Sequence, residues 1–208
     1  TVLVKTEGDV VTGSLATLGG TGVFAAALRQ HLLDSGCDLA VHSLKDLPTA
    51  QPEGLVLASI PPREDVRDAL CSRDSLGLDQ LPQGAKIGTG SPRRAAQLLA
   101  YRSDLQIVDI RGNVPTRLGR VKGVGETLDD GSVGRGTQGD LDAVILAAAG
   151  MRRLGLEKHI TEYLDPAIML PAPGQGALAL ETRTAGSGHK ALDAALEQFD
   201  DAATRMQG

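Results

Sequence analysis

The sequence predicts an α/β protein of two domains, with mixed, mainly parallel sheets and a cleft between the domains. A strand, a glycine-containing turn and an arginine-bearing helix occur twice in succession, at residues 86–99 and 105–118. Repeated units of this kind build parallel sheets, because each helix returns the chain to the same edge. The composition, with 41% apolar and 23% charged residues, is that of an ordinary globular protein.

Two proline-rich junctions, at residues 61–65 and 169–175, divide the chain. Its 208 residues are enough for two hydrophobic cores. Because the junctions flank a middle segment, they predict a discontinuous first domain and a continuous second domain. The predicted boundaries are 1–62 plus 174–200 for the first domain, and 66–170 for the second.

The first predicted domain carries its polar groups at the end of a short buried strand. The predicted strand 38–41, DLAV, leads directly into HSLKDLP, residues 42–48. Open α/β sheets bind ligands at the carboxyl ends of their strands, so we expect a binding site there. The other predicted elements of this domain are strands at 2–4, 55–60 and 176–181, a helix after the glycine loop 18–22, and an amphipathic helix at 190–199.

In the second predicted domain, arginines follow three of the strands. Strands are predicted at 69–72, around 87, at 105–110 and at 141–148. The segment 119–139 is rich in Gly, Asp, Ser and Thr, which predicts a surface insertion.

The stretch KIGTGSPRRAAQLL, residues 86–99, predicts an anion-binding corner. Ser91 is suited to cap a helix and Pro92 to begin it, so free backbone N–H groups would face the preceding loop. Arg93 and Arg94 add two positive charges to the positive end of the helix dipole. Carboxylate or phosphate would suit this corner. The open alternative is a solvent-exposed arginine pair in the first turn of a helix.

Charge, aromatic content and cysteine usage exclude several classes of function. The net charge is −5, yet residues 86–122 hold eight Lys and Arg against two acidic residues, which indicates a local ligand rather than a general polyanion. With two Phe, two Tyr and no Trp, little is available to stack on nucleic-acid bases. Separated cysteines at Cys37 and Cys71, scattered histidines and no long apolar run predict a reduced, cytoplasmic, metal-free protein without a membrane span.

Five longer stretches carry a resemblance to a known family. They are AVHSLKDLPT (40–49), IGTGSPRRAAQL (87–98), IRGNVPTRL (110–118), LDAVILAAAGMRRLGL (141–156) and LPAPGQGALALE (170–181). Together they resemble the porphobilinogen deaminase family, also called hydroxymethylbilane synthase, over nearly the whole chain except the insertion. The resemblance implies two periplasmic-binding-protein-like domains of type II.

The same resemblance implies a transferase of tetrapyrrole and haem biosynthesis. Four porphobilinogen molecules would be joined head to tail to hydroxymethylbilane, with release of ammonia, on a dipyrromethane primer that a cysteine holds. Each pyrrole carries two carboxylates, and arginine forks suit carboxylates. Loss of ammonia leaves an electron-poor azafulvene, and the attacking pyrrole develops positive charge. A fixed carboxylate would stabilise that charge and move protons.

By match to the family motifs, Asp46 is the catalytic carboxylate. The implied cofactor and substrate contacts are Lys45, Ser43, Thr89, Ser91, Arg93, Arg94, Arg111, Arg117, Arg153, Gln175 and Asp9. Arginines of the second domain and Asp46 of the first are expected to face one another across the cleft. We expect porphobilinogen as the small-molecule partner, no metal, and a monomer.

The chain departs from the family pattern in several places. Many members begin with a strand and an Arg-x-Ser-x-Leu-Ala helix start, and carry the primer cysteine in a small third domain; no stretch here corresponds. We therefore expect an incomplete copy that lacks the first strand and the cysteine that holds dipyrromethane. Thr17 and Thr21 stand where many members have lysine, and Gly90 replaces a common serine.

A second class of function uses the same architecture. A non-catalytic two-domain protein that binds a carboxylated or anionic small molecule would also need a cation-lined cleft. Asp46 distinguishes the two, because a carboxylate among arginines does not help a site that only binds anions. The sequence therefore favours the enzyme.

Overall fold

The structure, a computed structural model, describes residues 23–124 and 139–207 of the chain. Several predicted features lie outside the described residues: Asp9, the strand at 2–4, the glycine loop at 18–22 with Thr17 and Thr21, and most of the insertion at 119–139. The chain forms two compact units, unit 1 with Thr1–Glu64 and Pro173–Gly208, and unit 2 with Asp65–Ala172.

The described residues form α-helices and β-strands in both units. The helices are α1 (Val23–Leu33), α2 (Pro92–Tyr101), α3 (Val114–Leu118), α4 (Ala148–Arg153), α5 (Lys190–Phe199) and α6 (Ala202–Gln207). The strands are β1 (Ala40–Ser43), β2 (Leu55–Ser59), β3 (Asp68–Ser72), β4 (Lys86–Gly88), β5 (Gln106–Val108), β6 (Ala143–Ala147), β7 (Glu162–Tyr163) and β8 (Leu178–Arg183).

Unit 1 contains a three-stranded sheet with the order β1-β8-β2. The central strand β8 runs antiparallel to both neighbours. Its core includes Leu32 of α1, Ala40 of β1 and Leu55 of β2, all at most 3% exposed. Because Ser43 pairs with Leu178, the carboxyl end of β1 and the amino end of β8 lie at the same edge of the sheet.

Unit 2 contains a five-stranded sheet with the order β5-β4-β6-β3-β7. Strand β4 runs parallel to both β5 and β6, while β3 runs antiparallel to β6 and β7. The carboxyl ends of β4, β5 and β6 therefore share one edge, where ligands bind in sheets of this kind.

The mixed α/β class predicted from the sequence is confirmed, but the predominance of parallel pairing is wrong for the described strands. Two of the described strand pairings are parallel and four are antiparallel. The prediction rested on the repeated strand–turn–helix unit, which does give the parallel pair of β4 and β5. Outside that repeat, β6 also pairs parallel with β4, whereas the pairings of β1, β2, β3, β7 and β8 are antiparallel.

Both faces of the unit 2 sheet are covered. One core cluster includes Leu70, Ile145 and Leu98 of α2, and the other includes Cys71, Val144 and residues of α3 and α4. Cys71 is fully buried, and burial raises the pKa of its thiol to about 12. Cys71 is thus a small hydrophobic residue of the core.

Gly88, at the end of β4, has no room for a side chain. A Cβ there would lie 2.6 Å from Leu141 Cδ1 and 2.8 Å from Ile110 Cδ1. We expect Gly88→Ala to lower the free energy of unfolding by about 1–3 kcal/mol, as overpacking does, measured by urea denaturation. The control is Gly150→Ala in α4, where the nearest atom is 3.7 Å away and alanine favours the helix. An equal effect of both variants would contradict the packing argument.

Residues 23–124 and 139–207 contain neither a membrane-spanning helix nor a group of side chains that could bind a metal. No helix among them is long and apolar enough to cross a membrane. These residues also contain no group of three or more His, Cys, Asp or Glu side chains that could hold a metal ion.

Candidate functional site

One candidate site is the turn Leu44–Asp46, which follows β1 in unit 1. The backbone N–H of Leu44 donates to the carbonyl oxygen of Ala177 at 3.0 Å, and that of Leu47 closes the turn onto Leu44 at 3.1 Å. Ser43, the last residue of β1, is half-buried. The turn is thus tied to the segment that leads into β8.

The loop before β8 packs directly on this turn. Gly174 has a φ of +68°, and a Cβ there would lie 2.9 Å from Leu44 Cγ, so the conformation and the contact both favour glycine. Gln175 is 1% exposed, and its Oε1 accepts a hydrogen bond from Lys45 Nζ at 3.4 Å. The structure therefore brings together Lys45 and Gln175, two predicted site residues separated by most of the chain.

Asp46 is the exposed residue of the turn. Within the described part of the chain, no hydrogen bond or ion pair engages its carboxylate. The backbone of Asp46 is therefore held by the hydrogen bonds of the turn, while its carboxylate is accessible to solvent and to a ligand.

A buried charge cluster contacts β1, the strand that leads to the turn, and sequence reasoning missed it. Glu181 of β8 is 0% exposed. Its carboxylate accepts hydrogen bonds from Arg29 Nη2 at 3.0 Å and Gln51 Nε2 at 3.1 Å, and it lies 3.1 Å from His42 Nε2. Since His42 immediately precedes Ser43, the cluster anchors the strand that leads to the turn. The available signal was a glutamate ending an apolar strand, because a buried acid needs partners.

The pKa of Glu181 reflects two opposing effects. Burial acts to raise its pKa, but hydrogen bonds from His42 and Arg29, together with the charge of Arg29, lower the pKa below its ordinary value. The carboxylate is therefore held ionised.

A second candidate site is the loop between β4 and α2 in unit 2. Ser91 is the N-cap of α2: its side chain accepts from Arg94 N at 3.5 Å, and Pro92 is the first helical residue. Thr89 is 3% exposed, and its Oγ1 accepts from Ser91 N at 3.2 Å. The predicted capping is confirmed, and Thr89 shapes the loop from inside.

Arg93 and Arg94 both bind one buried carboxylate, that of Asp68. Arg93 Nη2 and Arg94 Nη2 each lie 2.7 Å from an Asp68 oxygen, and Asp68 is 0% exposed. Arg94 also donates to the carbonyl of Ile145 at 3.2 Å. Arg94 is only 6% exposed, so the alternative of a solvent-exposed arginine pair is wrong. The three charges leave a net positive charge of about one at the start of α2.

Sequence reasoning did not find Asp68. Burial and the two arginines shift the pKa of its carboxyl in opposite directions. Burial acts to raise the pKa of this carboxyl, but the charge of Arg94 and hydrogen bonds from Arg94 and Arg93 lower it overall. A signal was present in the sequence, since Asp68 directly precedes an apolar strand and a buried acid must be paired.

The loops after β4 and β5 touch one another. A Cβ on Gly90 would lie 2.6 Å from the carbonyl oxygen of Ile110, so glycine allows this approach. Arg111 follows Ile110 and is half-buried, which places it at the same sheet edge as Arg93 and Arg94. Packing therefore explains why Gly90 stands where many family members have serine.

The two remaining predicted arginines lie on helices. Arg117 is in α3, and its Nε donates to the carbonyl of Gly112 at 2.7 Å. Arg153 is exposed and is the last residue of the six-residue helix α4. It therefore lies one helix length beyond the end of β6.

The unit 2 arginines fit a carboxylated cofactor. Arg94 Nε is buried and has no hydrogen-bond partner within the described residues. A buried donor of this kind is costly unless an acceptor arrives, and here it lies in a positively charged cluster at a helix N-terminus. Carboxylate groups such as those of a dipyrromethane would satisfy it.

Curated relatives with high sequence identity belong to one family. The chain is 58% identical to porphobilinogen deaminase of Micrococcus luteus, covering 99% of this chain and 58% of the relative. It is also 58% identical to that of Cutibacterium acnes, covering 98% and 59%. The chain thus spans a little under three-fifths of the length of these curated relatives. Among solved structures, a periplasmic substrate-binding protein of an ABC transporter from Coxiella burnetii aligns with a TM-score of 0.48 and 17% identity, covering 86% of this chain and 77% of that one.

A family model gives the most direct assignment. The model described as "Porphobilinogen deaminase, dipyromethane cofactor binding domain" matches residues 1–191, which is nearly all of the chain. The match includes every predicted site residue in both units. The chain belongs to the porphobilinogen deaminase family, in the part that binds the dipyrromethane cofactor.

Proposed function

We propose that the chain is the cofactor- and substrate-binding part of an enzyme that condenses four porphobilinogen molecules head to tail into hydroxymethylbilane and releases ammonia. The observation that carries this proposal is the exposed carboxylate of Asp46 on a fixed turn next to Lys45. Binding alone does not require such a group, whereas proton transfer and stabilisation of a cationic pyrrole do.

In this proposal, the unit 2 arginines bind the acetate and propionate groups of the primer and the growing chain. Arg93, Arg94 and Arg111 share one sheet edge, and Arg94 keeps an unpartnered buried donor within the described residues. Ser91 and Thr89 shape the loop that presents the helix N-terminus. When bound, dipyrromethane supplies the pyrrole carbon to which the next unit is joined.

Unit 1 supplies the proton-handling groups in this proposal. Lys45, supported by Gln175 at 3.4 Å, would bind a carboxylate of the incoming pyrrole. The Asp46 carboxylate would then lie against the pyrrole N–H and hold its proton while positive charge develops on the ring. We further assign the remaining predicted contacts to substrate or primer: Ser43, Arg117, Arg153, Gln175 and Asp9.

We also propose that units 1 and 2 are the two domains predicted from the sequence. The working protein is a monomer in a reducing cytoplasm, with porphobilinogen as its small-molecule partner. The free thiols of Cys37 and Cys71 support a reducing compartment.

Binding of a synthetic dipyrromethane with acetate and propionate side chains tests the cofactor site. We expect Arg94→Met to weaken its affinity about tenfold or more, because charge-assisted hydrogen bonds are lost, measured by isothermal titration calorimetry on the 208-residue chain. The control is Arg102→Met, which lies just beyond the other end of α2 and pairs with Asp104 at 2.6 Å. Unchanged affinity in Arg94→Met would contradict the assignment.

A hybrid protein separates the enzyme from a simple binding protein. In the hybrid, this chain replaces the matching part of the Micrococcus luteus relative. Ammonia release from porphobilinogen would support the enzyme. Tight binding of the dipyrromethane without any ammonia release would favour the alternative, a non-catalytic protein for a carboxylated ligand.

A further inference from the structure

Asp68 connects the arginine pair to the rigid part of unit 2. It is the first residue of β3 and pairs with Ala147 of β6, and its carbonyl oxygen accepts from Leu164 N at 2.9 Å. The side chain is 0% exposed. One carboxylate oxygen accepts a hydrogen bond from Arg93, and the other accepts one from Arg94. Both guanidinium groups are therefore tied to the sheet through a single carboxylate.

The arginines have further fixed contacts. Arg94 Nη1 donates to the carbonyl of Ile145 in β6, and Arg93 Nη1 donates to the carbonyl of Leu170. Together with Asp68, these contacts hold each guanidinium at two points. An arginine side chain is otherwise among the most flexible in a protein, and its ordering opposes binding when it occurs on ligand arrival.

Stability alone is a poor explanation for this buried cluster. Well-packed apolar side chains of similar volume often match or exceed a buried ion pair in stability, because desolvation offsets the attraction. The cluster does provide geometric specificity, since both arginines have their directions fixed before a ligand binds.

We propose that Asp68 is a positioning residue for the carboxylate site at the N-terminus of α2, and that it acts by fixing the guanidinium groups of Arg93 and Arg94. The inference rests on the proposed function, because it assumes that these arginines bind the cofactor carboxylates. Asp68 also leaves the cluster with one net positive charge, which matches a single carboxylate group.

The variant Asp68→Asn tests whether Asp68 positions Arg93 and Arg94 for the ligand or competes with the ligand for them. If Asp68 merely competes with the ligand for the arginines, its removal strengthens anion binding, because local positive charge increases. If Asp68 positions the two arginines, the variant loses one of these contacts. The amide nitrogen of asparagine cannot accept a hydrogen bond, so the arginine that faces it is no longer held by this side chain. We expect the Kd for the synthetic dipyrromethane to rise about tenfold, as the cost of ordering a released side chain suggests. Equal or tighter binding overturns the proposal.

The matched control is Asp104→Asn. Asp104 binds Arg102 by two hydrogen bonds, at 3.1 and 2.6 Å, beyond the opposite end of the same helix. We expect this variant to keep the wild-type Kd. A double variant, Asp68→Asn with Arg94→Met, should lose less affinity than the product of the two single losses, because Asp68 acts partly through Arg94 and residues that act through one another are not additive. Fully additive losses would show that Asp68 does not act through Arg94.

A ligand-free measurement keeps this inference separate from the proposed function. In Asp68→Asn, the Nε–H signal of Arg93 or of Arg94 in ¹⁵N NMR should exchange with solvent at least about tenfold faster than in wild type and Asp104→Asn, since local order protects N–H groups. Absence of dipyrromethane binding in the wild type would defeat the proposed function, whereas unchanged signals of both arginines defeat the positioning role. If Asp68→Asn does not fold, Asp68→Glu keeps the charge but displaces the carboxylate, and the same two results are expected.

Discussion

Replacement of Asp46 by asparagine is expected to lower the rate of ammonia release from porphobilinogen by about a thousandfold, within the range that general acid–base groups contribute. Asparagine preserves the size of the side chain, and the exposed position of Asp46 leaves the fold intact. The amide carries no negative charge for the developing pyrrole cation and cannot take up its proton. The measurement is kcat and KM of the hybrid protein that contains this chain.

Separate changes in kcat and KM show whether Asp46 acts in catalysis or in substrate binding. A group that acts in the transition state lowers kcat and kcat/KM together, whereas a group that only binds substrate raises KM. We expect KM to stay within about threefold of wild type on that ground. The control is Asp34→Asn, which removes another exposed carboxylate of unit 1 that accepts a hydrogen bond from Gln30. A raised KM with unchanged kcat would make Asp46 a binding residue.

Local features of the fold were readable from the sequence because neighbouring residues determine them. Ser91 as N-cap and Pro92 as first helical residue were predicted, and the structure has both. The amphipathic pattern at 190–199 coincides with α5, Lys190–Phe199. Capping and helical periodicity depend on residues within a few positions of each other, so a single sequence contains enough information.

Contacts between distant residues were not readable in this way. Arg93 and Arg94 were predicted as a cationic pair, but their shared partner Asp68 is 25 and 26 residues away. The antiparallel pairing of β3 with β6 likewise depends on how the chain returns to the sheet. A lone acidic residue before a strand shows that a partner is needed, but many cations in the chain could serve.

Glu181→Gln is expected to lower the free energy of unfolding of unit 1 by about 3 kcal/mol, the low end of the cost of breaking a buried ion pair. Glutamine has the size of glutamate, so no cavity forms. It cannot neutralise Arg29, whose side chain is only 10% exposed, and Arg29 would remain as an uncompensated charge. Because the cluster anchors the strand that leads to Asp46, we also expect lower catalytic activity in the hybrid. Urea denaturation measures the stability.

The pH dependence of stability provides an independent check on the same cluster. The pKa of folded Glu181 is below its ordinary value of 4.5, so the unfolded chain takes up this proton first. The stabilisation is therefore complete above about pH 4.5 and is lost as the pH falls through the folded pKa. The difference in stability between wild type and Glu181→Gln should shrink as the solution is acidified below that value. Glu53→Gln, which alters an exposed carboxylate of unit 1, should show no comparable change. A difference that stays constant down to pH 3 would show that the ionised form of Glu181 is not what stabilises unit 1.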